Sequence, residues 1–120
     1  IIFSYTRAQA IADGVLIDVT AQAAEVGFKV HTVVTDHLYG EYVVPTAGLE
    51  GEGQSGEGRL HDLLFRTLLA AKAIRDSDRV EFDVLFLMAP GRWDTAHVVA
   101  VIGPGDQGEP VMTIMLPEDD

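Results

Sequence analysis

The chain has 120 residues and a mass of 13.0 kDa, about one domain in length, and 48% hydrophobic against 22% charged residues with a mean hydropathy of +0.18 marks a globular composition. There is no cysteine, which excludes a disulfide scaffold, a thiolate zinc site, an iron–sulfur cluster and a cysteine nucleophile. Eight basic residues against 19 acidic ones give a net charge of −11, a field that repels phosphate backbones and anionic lipid heads and sets both aside as partners.

The opening Ile1-Ile2-Phe3-Ser4-Tyr5 is too short for a signal-peptide core. Apolar runs such as Val84 to Pro90 fall far short of the ~20 residues of a spanning helix. A soluble, cytoplasmic protein is expected, with a few residues preceding Ile1 because no initiator Met opens the chain.

Residues 6–14 read as a short helix with both ends marked. Thr6 and Gln9 have the spacing of a capping box, and Gly14 is suited to end it. Val15 to Val19 is a brief strand or extended run, after which Thr20 is expected to cap a second short helix, Ala21 to Val26, closed by Gly27. Phe28 to Val34 has β-branched character. Thr35 then suits the cap of a helix over 35–44, because Leu38, Tyr39, Tyr42 and Val43 fall on one helical face; Gly40 opposes it and Pro45 ends it.

Residues 46–58 hold five glycines and three glutamates and are expected to be a mobile loop, either a plain linker or a recognition loop. Residues 59–75 are the clearest helix. Leu60, Leu63, Leu64, Leu68, Ala71 and Ile74 form its apolar stripe, widened by Phe65 and Leu69, while Asp62 and Arg66 sit on the polar side. Val80, Phe82, Val84, Phe86 and Met88 alternate along a strand opposite Arg79, Glu81 and Asp83, and the alternation breaks at Leu85 and Leu87, as though that end were covered on both sides. Turn residues 90–94 precede a strand from His97 to Ile102; the loop 103–110 precedes the last strand, Val111 to Leu116. The expected fold is a single α+β domain over 1–120. Short N-terminal helices lead to one long amphipathic helix packed on a three-stranded antiparallel meander.

Motifs for chemistry are sparse. His31, His37, His61 and His97 fall in no zinc-binding spacing, and no carboxylate-rich calcium loop occurs, so neither a metal nor a cofactor is expected. Ser4, Ser55 and Ser77 lie outside any Gly-x-Ser-x-Gly context. Asp18, between Ile17 and Val19, reads as an acceptor of a backbone N–H near Thr20 rather than as a catalytic acid.

Charge placement is the most unusual property. Residues 36–58 carry five acids and residues 93–120 carry six, with no Lys or Arg in either segment, so together they account for the whole −11. Such segments suit docking on a basic protein surface. The candidate contacts are Glu50, Glu52 and Glu57 in the glycine-rich loop, Trp93 and Asp94 at the turn, and Asp106 and Glu109 in the loop before the last strand.

Two segments carry a resemblance. The run from Ile2 to Val19 (Ile-Phe-Ser-Tyr-Thr-Arg-Ala-Gln-Ala-Ile-Ala-Asp-Gly-Val-Leu-Ile-Asp-Val) and the run from Ile102 to Pro117, with its Gly-Pro-Gly-Asp-Gln-Gly-Glu-Pro core, resemble the start and end of a family of short, acidic, uncharacterised bacterial proteins met on plasmids, phages and integrative elements. Its members tend to carry a Trp in the segment matching Leu38–Tyr42, where this chain has Tyr39 and Tyr42. The resemblance implies no activity and no catalytic residue. It implies a context in which accessory proteins bind a host component, so the expected function is a non-enzymatic protein-binding factor, anti-defence or regulatory. The alternatives are a small enzyme built on His37, His61 or His97 with nearby carboxylates, and a homo-oligomeric module joined through helix 59–75.

Overall fold

The computed structural model describes residues 5–45, 55–73 and 77–120. Helix α1, Arg7–Ala12, begins on the expected capping box: the Gln9 amide donates to Thr6 Oγ1 at 3.0 Å and the Thr6 amide to Gln9 Oε1 at 2.9 Å. Strand β1, Leu16–Asp18, leads into α2, Thr20–Val26. Thr20 is not the cap foreseen for α2. Its hydroxyl donates to Asp18 Oδ1 at 2.6 Å, and Asp18 also accepts the Thr20 amide at 3.0 Å, so the carboxylate serves the helix start instead. Gly27 ends α2 at φ +127°, a conformation that side chains rarely adopt.

Strand β2, His31–Thr35, runs into α3, Asp36–Leu38, which Thr35 caps through its hydroxyl, as its position suggests. One π-helical turn, Tyr39–Val43, follows directly. The face read from Leu38, Tyr39, Tyr42 and Val43 is the one that packs: Leu38 and Val43 are fully buried, and the two tyrosines lie half-buried against the core.

Helix α4, Gly56–Ala73, starts three residues earlier than expected. Gly56, Glu57 and Gly58 form its first turn because Ser55 caps it, the Gly58 amide donating to Ser55 Oγ at 3.0 Å and the Arg59 amide to Ser55 O at 3.0 Å. The rest of the glycine-rich loop, with Glu50 and Glu52, lies outside the described residues. The strands β3, Arg79–Ala89, β4, Arg92–Pro104, and β5, Pro110–Met115, complete the chain with a 3-10 turn, Pro117–Asp119. Strand β4 begins five residues before the expected His97. Trp93 and Asp94 are therefore strand residues and not a loop tip, because a tight connection through Gly91 at φ +75°, with an irregularity between Leu87 and Ala89, closes the β3–β4 hairpin sooner.

The three-stranded meander is only part of the sheet. β3, β4 and β5 pair antiparallel as expected, but β2 joins β5 in parallel and β1 joins β2, giving a five-stranded mixed sheet of order β1-β2-β5-β4-β3. On one face, Val34, Ile114, Met112, Val98, Ala96, Val84 and Phe86 form a single core with Leu38, Val43, Leu60, Leu63 and Leu64. On the other face α1 covers the β2–β5 half, burying Ala10. There Arg7 Nη1 donates to Thr113 Oγ1 at 3.0 Å. The β3–β4 half of that face stays bare, with Leu85 62% and Trp93 59% exposed. Leu87 is buried as the broken alternation suggests, whereas Leu85 is not covered.

One cation organises the interior. Arg59, only 3% exposed, donates from Nε to Tyr42 O and from Nη1 to Leu87 O, each at 2.7 Å, and its guanidinium lies 5.1 Å from the Phe86 ring centroid. Tyr42 stacks on the same Phe86 ring at 5.3 Å, so α4, the π-turn and β3 meet at one charge-assisted junction. Replacement Arg59→Ala strands two buried carbonyls and is expected to lower unfolding free energy by about 3 kcal/mol in chemical denaturation. The exposed Arg66→Ala on the same helix is expected to stay within about 0.5 kcal/mol of the parent.

Candidate functional site

Strands β2 and β5 run in the same direction, so both finish at the end of the sheet where β4 begins. Whatever follows β2 and β5 must therefore meet the start of β4. The residues after β2 are Asp36, His37, Glu41 and Tyr42; those after β5 are Glu118 and Asp119; the start of β4 supplies Trp93 and Asp94.

At this end His37 sits among carboxylates. Its Nδ1 is 3.0 Å from Asp119 Oδ1, its Nε2 is 2.9 Å from Glu41 Oε2, and Glu118 lies at 3.9 Å. The bond to Asp119, followed by the charges of Asp119, Glu41 and Glu118, raises the His37 pKa above its ordinary value against the opposing effect of burial. Burial would raise the Asp119 carboxyl, but bonds from the Thr35 hydroxyl at 2.8 Å, His37 and the Leu116 amide at 3.2 Å outweigh it and hold it below its usual range. The Tyr42 hydroxyl is pushed up, first by burial and then by the charges of Glu41, Asp94 and Glu118. Glu41 from one acidic segment and Asp94, Glu118 and Asp119 from the other thus converge on one end of the sheet.

A second group lies on the bare half of the outer face. His97 Nδ1 is 2.8 Å from Asp83 Oδ1 and its Nε2 is 2.9 Å from Glu81 Oε1; Arg79 bridges Glu81 at 3.6 Å and pairs with Asp120. Bonds to Glu81 and Asp83 raise the His97 pKa. The other two histidines have local partners, His31 beside Asp18 at 3.4 Å and His61 stacked on Phe65 at 6.4 Å. A cleft of about 760 Å³ lies between α2, the π-turn and the start of α4 and is lined in part by Gln22, Glu25, Tyr39, Glu57 and His61. His37 and His97 do not line it. Among the described residues no group of three or more His, Asp or Glu side chains is arranged to hold a metal ion. No helix among them is long and apolar enough to cross a membrane.

The residues singled out from sequence do not form one patch. Trp93 and Asp94 lie at the acidic end, Asp94 bonded to Arg92 at 3.1 Å, whereas Glu57 lines the cleft beside Gln22 and Glu25 of α2. Asp106 and Glu109 lie at the opposite end of β4, about 30 Å away at the usual strand rise. Both have local roles there. Asp106 accepts the amides of Arg7 at 2.9 Å and Ala8 at 3.1 Å, bonds that lower its pKa and cap α1. Glu109 accepts the Gln107 amide at 3.0 Å within the turn, where Gly108 adopts φ +81°. Glu41, Glu118 and Asp119 were countable as acids in the sequence, but only the direction of β2 relative to β5 brings them together.

A family model described as "Family of unknown function (DUF6573)" matches residues 1–120, and the chain belongs to that family. Neither the curated proteins nor the solved structures contain a match.

The His37–Asp119 contact has a definite pH signature. A raised His pKa contributes stability in full below the unfolded value of 6.5, and that contribution is lost as pH rises through the folded value. The lowered Asp119 pKa contributes above 3.8, and its share is lost as pH falls through the folded value. The contact is therefore strongest between the two. An NMR titration of the His37 ring should show a midpoint above 6.5 that drops in Asp119→Asn. In Asp106→Ala, hydrogen exchange at the Arg7 and Ala8 amides should quicken while the β4 and β5 amides stay as protected as before.

Proposed function

We propose that this member of a family of unknown function is a non-enzymatic, acidic protein-binding factor that docks on a basic protein surface. On the resemblance of its two terminal segments, its context is a mobile genetic element, in an anti-defence or regulatory role. The observation that carries the reading is the meeting of Glu41 and Asp94 with Glu118 around Tyr42, beside a Trp93 that is 59% exposed. A group of carboxylates around Tyr42, only partly offset by His37 and Arg92, with an accessible tryptophan next to Asp94 in β4, suits a cationic partner: the charges steer the encounter and the indole supplies the contact.

A homo-oligomer remains the second reading, favoured by Phe65 and Leu69, which are 45% and 46% exposed on α4. Light scattering at micromolar concentration distinguishes it, a monomer counting against it.

Affinity capture with the whole chain at about 50 mM salt is expected to retain a basic protein that elutes as salt is raised. The double variant Glu41→Lys/Glu118→Lys should lose that protein. Retention of the same protein by the reversed variant, or binding indifferent to salt, overturns the reading.

A further inference from the structure

The two edges of the sheet are built differently. At one edge β1 has only three residues, too few to template a partner strand. At the other, β3 has eleven residues, holds no Pro or Lys, and is irregular only near its end, between Leu87 and Ala89. The direction of its free groups follows from the ladder. The Ile102 amide donates to Asp78 O at 2.8 Å, so in the register that pairs Arg79 with Val101 the bonded pairs fall on even-numbered β3 residues. The N–H and C=O groups of Arg79, Glu81, Asp83 and Leu85 therefore point away from β4; the Arg79 amide donates to Ser77 Oγ at 3.1 Å and its carbonyl accepts from that hydroxyl at 2.9 Å, and no strand among the described residues takes up the others.

The side chains of those same four residues stand on the bare outer face, where Glu81, Asp83 and Leu85 are exposed opposite Val99, His97 and Thr95, with Trp93 further along β4. Charge is what guards this edge, and a charge guard has a sign. Two copies of β3 paired antiparallel about any point from Glu81 to Asp83 would set carboxylate against carboxylate, and each copy carries −11. A cationic strand meets no such barrier.

We infer that the open β3 edge, with Glu81, Asp83 and Leu85 on its outer face, accepts an extended cationic segment of the partner protein as a sixth strand. The inference deepens the proposed docking on a basic protein and rests on it. The segment carries Lys or Arg at the two alternate positions beside Glu81 and Asp83 and an apolar side chain beside Leu85, within reach of Trp93. Its intervening residues are apolar and lie beside the half-buried Phe82. Main-chain bonds supply the register and the alternate side chains supply the selection.

The probe is a capped peptide of about nine residues in which Lys alternates with Val, compared with a twin carrying Glu for Lys and a third interrupted by Pro. Binding to the full chain is followed by amide exchange in NMR. The Lys peptide is expected to slow exchange at Glu81, Asp83 and Leu85, to bind about tenfold more tightly than either control, and to weaken as salt rises from about 50 to about 300 mM. Leu85→Lys should weaken it about tenfold with the fold unchanged. Asp83→Pro, which removes the outward N–H together with the carboxylate paired with His97 but no bond of the β3–β4 ladder, should block it, and Leu85→Lys carries the test if that variant does not fold. The inference falls if the Lys peptide does not bind, if it binds without protecting those amides, if the Glu twin binds equally, or if the amides grow protected with protein concentration alone, which would assign the edge to a second copy. If the captured basic protein is lost by Glu41→Lys/Glu118→Lys but kept by Leu85→Lys, edge docking fails while the acidic-surface reading stands.

Discussion

The parallel pairing of β2 with β5 is the constraint on which the rest of the molecule depends. It joins the first third of the chain to the last at the middle of the sheet, with His31 beside Val111 and Val34 beside Ile114. Both ends of this seam are tied by side chains from segments remote in sequence. At one end Asp106 caps α1; at the other Asp119 spans Thr35 and His37. Without the seam the C-terminal hairpins would form a three-stranded sheet with its β5 edge open, and α1 and α2 would be helices too short to persist alone. With it, β5 becomes an interior strand, buried at Val111, Met112, Ile114 and Met115.

The same seam sorts the acidic residues into two kinds. Asp18, Asp106 and Asp119 have lowered pKa values because backbone amides, hydroxyls or a histidine donate to them, and their charges are absorbed into helix starts and the closing turn. Glu41, Asp94 and Glu118 gather around Tyr42 and push its hydroxyl up, with Glu41 also paired to His37 and Asp94 to Arg92. A net charge of −11 therefore overstates what a partner would feel over most of the surface and understates it at the end where β2 and β5 stop. Arg59 lies just beneath that end, holding the carbonyls of Tyr42 and Leu87, so the acidic end is built over a rigid junction.

The outer face of the sheet follows a related logic. α1 reaches only as far as β5, because the Asp106 cap and the Arg7–Thr113 bond hold it there. What α1 leaves uncovered is shielded by charges in place of a helix, the row Asp83–His97–Glu81–Arg79. A helix excludes every partner alike, whereas a charged row discriminates by sign.

Local order was legible in the sequence where the deciding interactions span a few residues. The Thr6–Gln9 capping box, the Thr35 start of α3, the apolar face of 38–43, the Leu60, Leu63, Leu64 and Leu68 part of the α4 stripe and the β3–β4–β5 meander all rest on contacts between near neighbours in the chain or on a simple period; Phe65 and Leu69, read as widening that stripe, are exposed, and Ile74 lies outside the described residues. Differences arose where a competing local partner won: Asp18 took up the Thr20 amide and hydroxyl and left Thr20 as the first residue of α2, Ser55 drew Gly56 to Gly58 into α4, and a tight turn at Gly91 drew Trp93 and Asp94 into β4. By itself the sequence determined the α+β composition, the excess of acid in two segments and the absence of thiol chemistry, because these depend on residue type and short-range periodicity. Only the tertiary structure decided that β2 lies parallel beside β5, that the acids of two distant segments share one end, and that β3 is left as an edge. Strand pairing between residues some eighty positions apart is chosen by burial of the whole sheet, and no local pattern encodes it.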